Sequence, residues 1–339
     1  MVSTPQSAGV SIRDVARRAG VSAATVSRSL RGIANVSPET RDRVLQAASE
    51  LAYVRTRAAN PTRSVGVLAR YPAHWFHAHV ISAIERVLRN SDRSLVLHNI
   101  GEPEGRQYFF QQVAPRRQLD AIMVVSSSFD EAEQEALKTL DVPISVVGGY
   151  LPELPRVGID DQTSAAMAVQ HLVGLGHREI GLISFEPHSS VGIETTNARR
   201  SGFEKTLATA ELGQRPEWMV AAASNVTGGI RAAERLLTQP QLPTALFAMS
   251  DEMALGVLQT LHRAGIRVPG QMSVIGFDDH EMAPCGDLTT ISQPVALQAE
   301  MATEMLLEEL EGLAGTTTIR DIDVPTRLVV RGTTGPPPA

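Results

Sequence analysis

From residue 65 onward, short and continuous apolar runs alternate with helical patterns, and that alternation leaves few folds open. The runs are 65-VGVLA-69, 94-SLVLHNI-100, 121-AIMVVS-126, 144-ISVVGG-149, 179-EIGLISF-185, 245-ALFAMS-250 and 273-SVIGFDD-279. Helical patterns separate them, as in 75-WFHAHVISAIERVLRN-90 and 162-QTSAAMAVQHLVGLG-176. A strand that is apolar at successive positions is buried on both faces, which happens in parallel sheets covered by helices on both sides. There are too many such strands for one layer, and 339 residues exceed one ordinary core. An α/β body of two doubly wound parallel-sheet subdomains is therefore expected.

The first sixty residues read differently. Residues 1–63 hold ten arginines and no lysine against Asp14, Glu39, Asp42 and Glu50, a net charge of +6. The whole chain carries −6, so the remainder carries −12. A basic block on an acidic body is the electrostatic footprint of a nucleic-acid-binding head. Val15, Ala16 and Ala19 form the stripe of a short helix, which Gly20 can end with a positive φ. Ser22 suits the N-cap of a second helix, with Val26 and Leu30 on one face and Ala24 and Arg28 opposite. A third follows in 37-SPETRDRVLQAASEL-51, capped by Ser37, with Val44, Ala48 and Leu51 inward.

Three short helices with a tight first turn make an all-α helix-turn-helix head, whose second helix enters the major groove. In 20-GVSAATVSRSLRG-32 the alanines allow close approach to base edges, and Arg28 can fork to a guanine. Ser22, Thr25 and Ser27 can bond phosphates, which sets register without reading sequence. A plain three-helix bundle with a solvated Arg28 is the competing reading.

The run IRDVARRAGVSAATVSRSLRG…VSPETRDRVLQAASELAY resembles the DNA-binding head of the lactose/galactose-repressor (LacI/GalR) family. By that resemblance Ala23, Ala24 and Arg28 are the recognition positions. Arg31, Asn35, Ser37, Tyr53, Arg55 and Arg57 complete the DNA-facing set. The joint 54-VRTRAANPTRS-64 is shorter than is usual in the family, has no leucine and contains Pro61, which interrupts a helix. A leucine wedge in the minor groove is not expected here, and DNA bending should be weaker. The resemblance runs on through 157-VGIDDQTSAAMAVQHLVGLGHREIGLIS-184, 249-MSDEMALGVL-258, 288-LTTISQPV-295 and 324-VPTRLVVRGTT-334. It implies a periplasmic-binding-protein-like body and these boundaries: head 1–53, linker 54–64, body 65–333, tail 334–339. Within the body one subdomain takes about 65–160 and 292–323, the other about 161–291 and 324–333.

Ligands of open α/β sheets bind beyond the carboxyl ends of the strands, so the residues just after each strand are the informative ones. These include His74, Trp75, Phe76, Asp160, Asp161, Ser250, Asp251, Asp278 and Asp279, with Arg199 opening a helix. A carboxylate, a guanidinium and small polar groups around an aromatic plate suit a polyhydroxy ligand. The resemblance places Arg199, Ser250 and Asp278 at effector-contacting positions. Ser224 stands where many relatives carry a stacking aromatic, and Trp75 replaces a proline. The plate is therefore expected on the other lobe. The effector set is His74, Trp75, Phe76, Asp160, Arg199, Ser224, Ser250 and Asp278. Each has a structural alternative: Asp160 a hydrogen-bonder at the hinge, Trp75 a core or interface residue, Asp278 a cap, Arg199 an ion pair. Trp218 reads as packing.

Enzyme classes find little support. There is no GxGxxG after a strand, no GxxxxGK[ST], no GxSxG and no HExxH. The paired acids Asp160–Asp161 and Asp278–Asp279 are sequence neighbours whose side chains diverge. His74, His77 and His79 cluster without metal-ligand spacing, and neither a metal nor a cofactor is expected. Cys285 is the only cysteine, which excludes an internal disulfide and suits a reducing compartment. No apolar run reaches bilayer length and no signal peptide is apparent, so a cytoplasmic location is expected. Together these readings give a sequence-specific transcriptional regulator, expected to be a repressor, whose ligand either releases DNA or promotes binding. Its partners are double-stranded DNA at a near-palindromic operator and a small effector, expected to be a sugar. The short, proline-rich end argues for a homodimer over a larger assembly. A solute-binding protein of the same clamshell fold is the alternative.

Overall fold

The computed structural model describes residues 12–22, 25–26, 29, 37–51, 62–116, 118–186, 193–312 and 320–338. The chain separates into a head, Met1–Thr62, and a body that begins at Arg63.

In the head, α1 (Ile12–Ala19) and α2 (Pro38–Glu50) are packed through Val15, Ala16, Ala19, Val26, Val44 and Ala47. Gly20 ends α1 at φ +68°, and the Val21 N–H returns to the Ala16 carbonyl at 3.1 Å. Ser22 Oγ accepts from the Thr25 N–H at 3.1 Å, so the expected second cap is present. Ser37 Oγ accepts from the Thr40 N–H at 3.3 Å. Arg18 pairs with Glu50 and ties the two helices. The inward face of α2 is turned slightly from expectation: Ala47 is buried, while Ala48 and Leu51 are only half-buried. The small Ala16 and Ala19 let α2 settle on its own small residue. Ala23, Ala24, Ser27, Arg28, Arg31, Asn35, Tyr53, Arg55, Arg57 and the joint to residue 61 lie outside the described residues.

The body contains two six-stranded sheets. The first comprises β1 (Ser64–Ala69), β2 (Ser94–Asn99), β3 (Ala121–Val125), β4 (Ile144–Val147), β5 (Arg156–Gly158) and β11 (Asp321–Asp323), in the order β11-β5-β4-β3-β1-β2. All its pairings are parallel. The second holds β6 (Ile180–Phe185), β7 (Met219–Ala222), β8 (Ala245–Ala248), β9 (Ser273–Asp278), β10 (Thr289–Ser292) and β12 (Arg327–Val329), in the order β12-β10-β9-β8-β6-β7. Only β12 runs antiparallel there. The interior strands β1, β3, β4 and β6 are buried almost throughout, as their apolar runs require. The edge strand β2 has no fully buried residue.

Helices cover the faces. On the first lobe α3 (Trp75–Asn90) packs beside the late helix Val295–Leu310. On the second, Asp161–Gly174 pairs with Ile193–Thr209, and Val226–Leu236 pairs with Asp251–Arg263. The last pair is close because it meets at glycines: a Cβ on Gly229 would lie 2.1 Å from the Met253 carbonyl oxygen. The chain passes between lobes three times, after β5, after β10 and between β11 and β12. The seven strands expected from the apolar runs all occur, with ends shifted by up to two residues. β10 hid behind its threonines. Thr289 and Thr290 are fully buried, with hydroxyls donating to the Arg331 carbonyl at 3.1 Å and to Asp251 at 2.6 Å. Thr334 and Gly335, read as the start of a tail, belong to the second lobe. Gly335 exchanges hydrogen bonds with Ser273 at 3.0 and 3.1 Å, and Thr334 bonds His171 at 2.9 Å. Trp218 is 1% exposed and packs in the second core. No helix of the described residues is long and apolar enough to cross a membrane.

Candidate functional site

A cleft lies between the lobes at the carboxyl ends of both sheets. In each sheet the order of strands reverses there, β1 between β2 and β3, and β6 between β7 and β8. The second lobe supplies Asp161, Thr195, Arg199, Ser224, Ser250, Glu252 and Asp278, and the first supplies His74, Phe76, His77, Gln293 and Gln298.

Arg199 is the centre of the charged wall. Its Nε donates to Asp161 Oδ1 at 2.8 Å and its Nη1 to the Met249 carbonyl at 2.5 Å, with Asp278 Oδ1 at 3.9 Å. The guanidinium carbon stands 3.6 Å above the centre of the Phe277 ring. Burial pushes the Asp161 carboxyl up, against the pull of Arg199. Burial raises Asp278 to about 8, Arg199 opposing and the Asp251 carboxylate adding to the rise. Asp251 is raised to about 6 by burial, while Thr290 and the His280 N–H hold its oxygens. Among the described lining residues Arg199 is the only lysine or arginine, and two of its five donors are held by internal acceptors. The net charge of the wall therefore depends on how many of Asp161, Glu252 and Asp278 hold protons beside the one cation, Arg199.

Six of the eight effector candidates line this cleft: His74, Phe76, Arg199, Ser224, Ser250 and Asp278. Ser250 also caps its helix, accepting from the Met253 N–H at 3.4 Å. Two candidates do not line it. Asp160 is the N-cap of the helix Asp161–Gly174 and accepts from the Thr163 N–H at 2.9 Å and its hydroxyl at 2.5 Å. Its neighbour Asp161, one step further round the helix, turns into the cleft instead. Trp75 leans toward the second lobe, donating to Glu281 and meeting the His280 ring at a tilt of 33° with ring centres 5.1 Å apart. The expected plate is thus not Trp75. Phe76 lines the cleft from the first lobe and Phe185 from the second. Gly148 makes room for Phe76: it has φ +61°, and a Cβ there would lie 2.8 Å from the ring. The paired acids diverge as expected, Asp279 turning away to Arg331 at 2.7 Å.

Sequence reasoning missed His77, Gln293 and Gln298. Gln293 lies in the second crossing, where its Nε2 donates to Asp278 Oδ1 at 2.6 Å. Its only local signal is the proline that follows, which marks the end of β10. Gln298 is fully buried on the late helix, where a polar residue among apolar ones was the available clue.

The sequence matches the family described as "Bacterial regulatory proteins, lacI family" over residues 11–56. It also matches the periplasmic binding protein-like domain over residues 169–334. The HTH-type transcriptional repressor PurR of Haemophilus influenzae (strain PittEE) is 32% identical over 331 residues, covering 94% of this chain and 97% of its own. The chain belongs to the lacI family of bacterial regulatory proteins. Membership decides for a transcriptional regulator over a solute-binding protein, since the likeness to repressors runs through head and body alike. Two solved structures support the LacI fold. The lac repressor dimer bound to operator and the anti-inducer ONPF has a TM-score of 0.72 at 26% identity, covering 97% of this chain and 100% of its own. The transcriptional regulator CelR–cellobiose complex has 0.72 at 26% identity, covering 96% and 99%.

Proposed function

We propose that this LacI-family chain is a cytoplasmic homodimeric repressor, released from or held on a near-palindromic operator by an uncharged sugar bound in the cleft. The observation that carries the ligand class is the balance of charged groups around Arg199. Two of its five donors serve Asp161 and the Met249 carbonyl, and this one cation among the described lining residues already faces three acidic side chains, Asp161, Glu252 and Asp278, so an anionic ligand finds no second cation there to answer it. Hydroxyl groups suit the wall better, since they donate to Asp278 and Ser250 and accept from what remains of Arg199. Two relatives' names point the same way, one solved with cellobiose and another with ribose.

The cleft is read as a binding site rather than a catalytic one. Asp161, Asp251 and Asp278 each have an internal partner, and the matched relatives are named as repressors. Ser22, Thr25 and Ser37 of the head, together with Arg28 and its neighbours, are proposed to hold the operator. A ligand that touches both lobes shifts their relative placement, and through it the affinity for DNA, by about 1–3 kcal/mol in typical cases.

A mobility-shift titration tests this. The full chain is first selected against random duplexes, then challenged on its preferred duplex with sugars, sugar phosphates and nucleobases. Release or tightening by a neutral sugar is expected. A response confined to sugar phosphates or to nucleobases, or none to any compound, overturns the reading.

A further inference from the structure

Two polar side chains on the first lobe's side of the cleft are left incomplete by the protein itself. His77, in the opening turn of α3, is 3% exposed, and neither of its ring nitrogens has a hydrogen-bond partner. Gln298 is fully buried; its Nε2 donates to Gln293 Oε1 at 3.3 Å, while its Oε1 accepts nothing. Both face the same cleft as Arg199 and Asp278. Buried polar groups are almost always paired, because leaving one unpaired forfeits its hydration without return. Here three such atoms gather at one cavity.

Their chemistry describes what would complete them. Burial lowers His77 to about 4, with the His74 ring and Arg70 pushing the same way, so the ring is neutral near pH 7. A neutral imidazole offers one N–H donor and one bare nitrogen acceptor, and Gln298 Oε1 offers a second acceptor. Hydroxyls fit that set, since each can both donate and accept. A phosphate or carboxylate does not, having nothing to donate to the two acceptors.

We infer that His77 and Gln298 form a second ligand seat, which takes hydroxyls from the face of an uncharged polyhydroxy compound opposite the face held by Arg199 and Asp278. This deepens the sugar reading above and rests on it. The seat is wired to the other wall. Gln298 donates to Gln293 in the second crossing, and Gln293 donates to Asp278 at 2.6 Å. A ligand seated on both walls closes a chain of hydrogen bonds from one lobe to the other, so it binds the closed arrangement better than the open one.

Titration calorimetry on the full chain tests the seat, with ribose, glucose, galactose, cellobiose and xylitol as neutral probes and glucose 6-phosphate and hypoxanthine as contrasts. Wild type is expected to bind at least one neutral probe. His77→Phe and Gln298→Met, which keep volume and remove the polar atoms, are expected to weaken that probe by about tenfold or more each. His77→Gln, which keeps a donor and an acceptor, recovers part of the loss. Without ligand both apolar variants should melt at or above the wild-type temperature, since they remove unpaired groups. Undiminished binding in His77→Phe and Gln298→Met overturns the seat and leaves the sugar reading intact. A lower melting temperature for both without ligand also overturns it, by making the residues structural. Binding of the contrasts alone, or of no probe, removes the sugar reading and the seat together.

Discussion

Arg199 Nε donates to Asp161 Oδ1 across 2.8 Å, joining a helix of the second lobe to the residue that follows the first crossing between lobes. Around that bond the cleft stacks an aromatic ring on one side of the guanidinium and a second carboxylate 3.9 Å away. The arrangement separates two acids that otherwise look alike, one bonded to the arginine and another bonded to Gln293 in the proposed ligand wall.

Removing the arginine should cost more than removing the ligand-facing acid. Arg199→Ala strands Asp161 and Asp278 in a buried wall and is expected to destabilise the body by about 3–5 kcal/mol. Asp278→Ala should leave DNA binding intact and abolish the response to ligand, with little loss of stability, because burial already opposes its charge. Thermal melts and operator titrations of the two variants check this. Equal melting temperatures would mean that Arg199 is not the structural member.

Stability should depend on pH through Asp278. Its carboxyl keeps the proton to about pH 8 in the folded chain, against 3.8 for an ordinary side chain. Between those values the unfolded chain is ionised there and the folded chain is not. The contribution is therefore full below the lower value and is lost as pH rises through the upper one. Asp251, raised to about 6, adds a loss of the same sign at lower pH. Melting temperature should fall from pH 6 to pH 8, and Asp278→Asn should flatten that fall. Parallel slopes in the two proteins would assign the effect elsewhere.

Trp75 should report on the lobes. The chain has two tryptophans. Trp218 is sealed in the second core with its Nε1 on the Gln241 carbonyl at 2.9 Å. Trp75 reaches across to His280 and Glu281 beside His79, which stands 3.4 Å from the same carboxylate. A neutral sugar that alters the lobe arrangement should change the emission of wild type and leave Trp75→Phe unchanged. A signal that survives in Trp75→Phe would place the change in the second core.

Arg28 should carry base preference. Arg28→Ala is expected to lose about 1–3 kcal/mol of discrimination between the preferred duplex and one changed at a single guanine. Much of its salt-dependent, non-specific affinity should remain, because phosphate contacts supply that part. Titrations on both duplexes at two salt concentrations measure it. Equal weakening on every duplex would make Arg28 a phosphate contact.

The alternation of apolar runs with helical patterns was enough to specify two sheets that are parallel but for β12, because a strand buried on both faces has no polar alternate positions to disguise it. The caps at Ser22 and Ser37 were legible for a similar reason: a hydroxyl before a helical stripe serves backbone groups within its own turn. Ser250 and Asp278 could be named from their places beside strand ends and from the family likeness, and Arg199, inside the helix Ile193–Thr209, from the likeness. Their neighbours could not be sorted so locally. Asp160 and Asp161 are adjacent acids, and only the capping bond to Thr163 turned the first away and left the second for Arg199. Trp75 and Phe76 are adjacent aromatics, and the second lobe's His280 and Glu281 drew the first out of the cleft. His77 and Gln298 gave the weakest signal of all, since what marks them is the lack of a partner inside the fold. Local bonds are written into neighbouring letters of a chain, whereas an unmet hydrogen bond exists only once distant segments have closed around it.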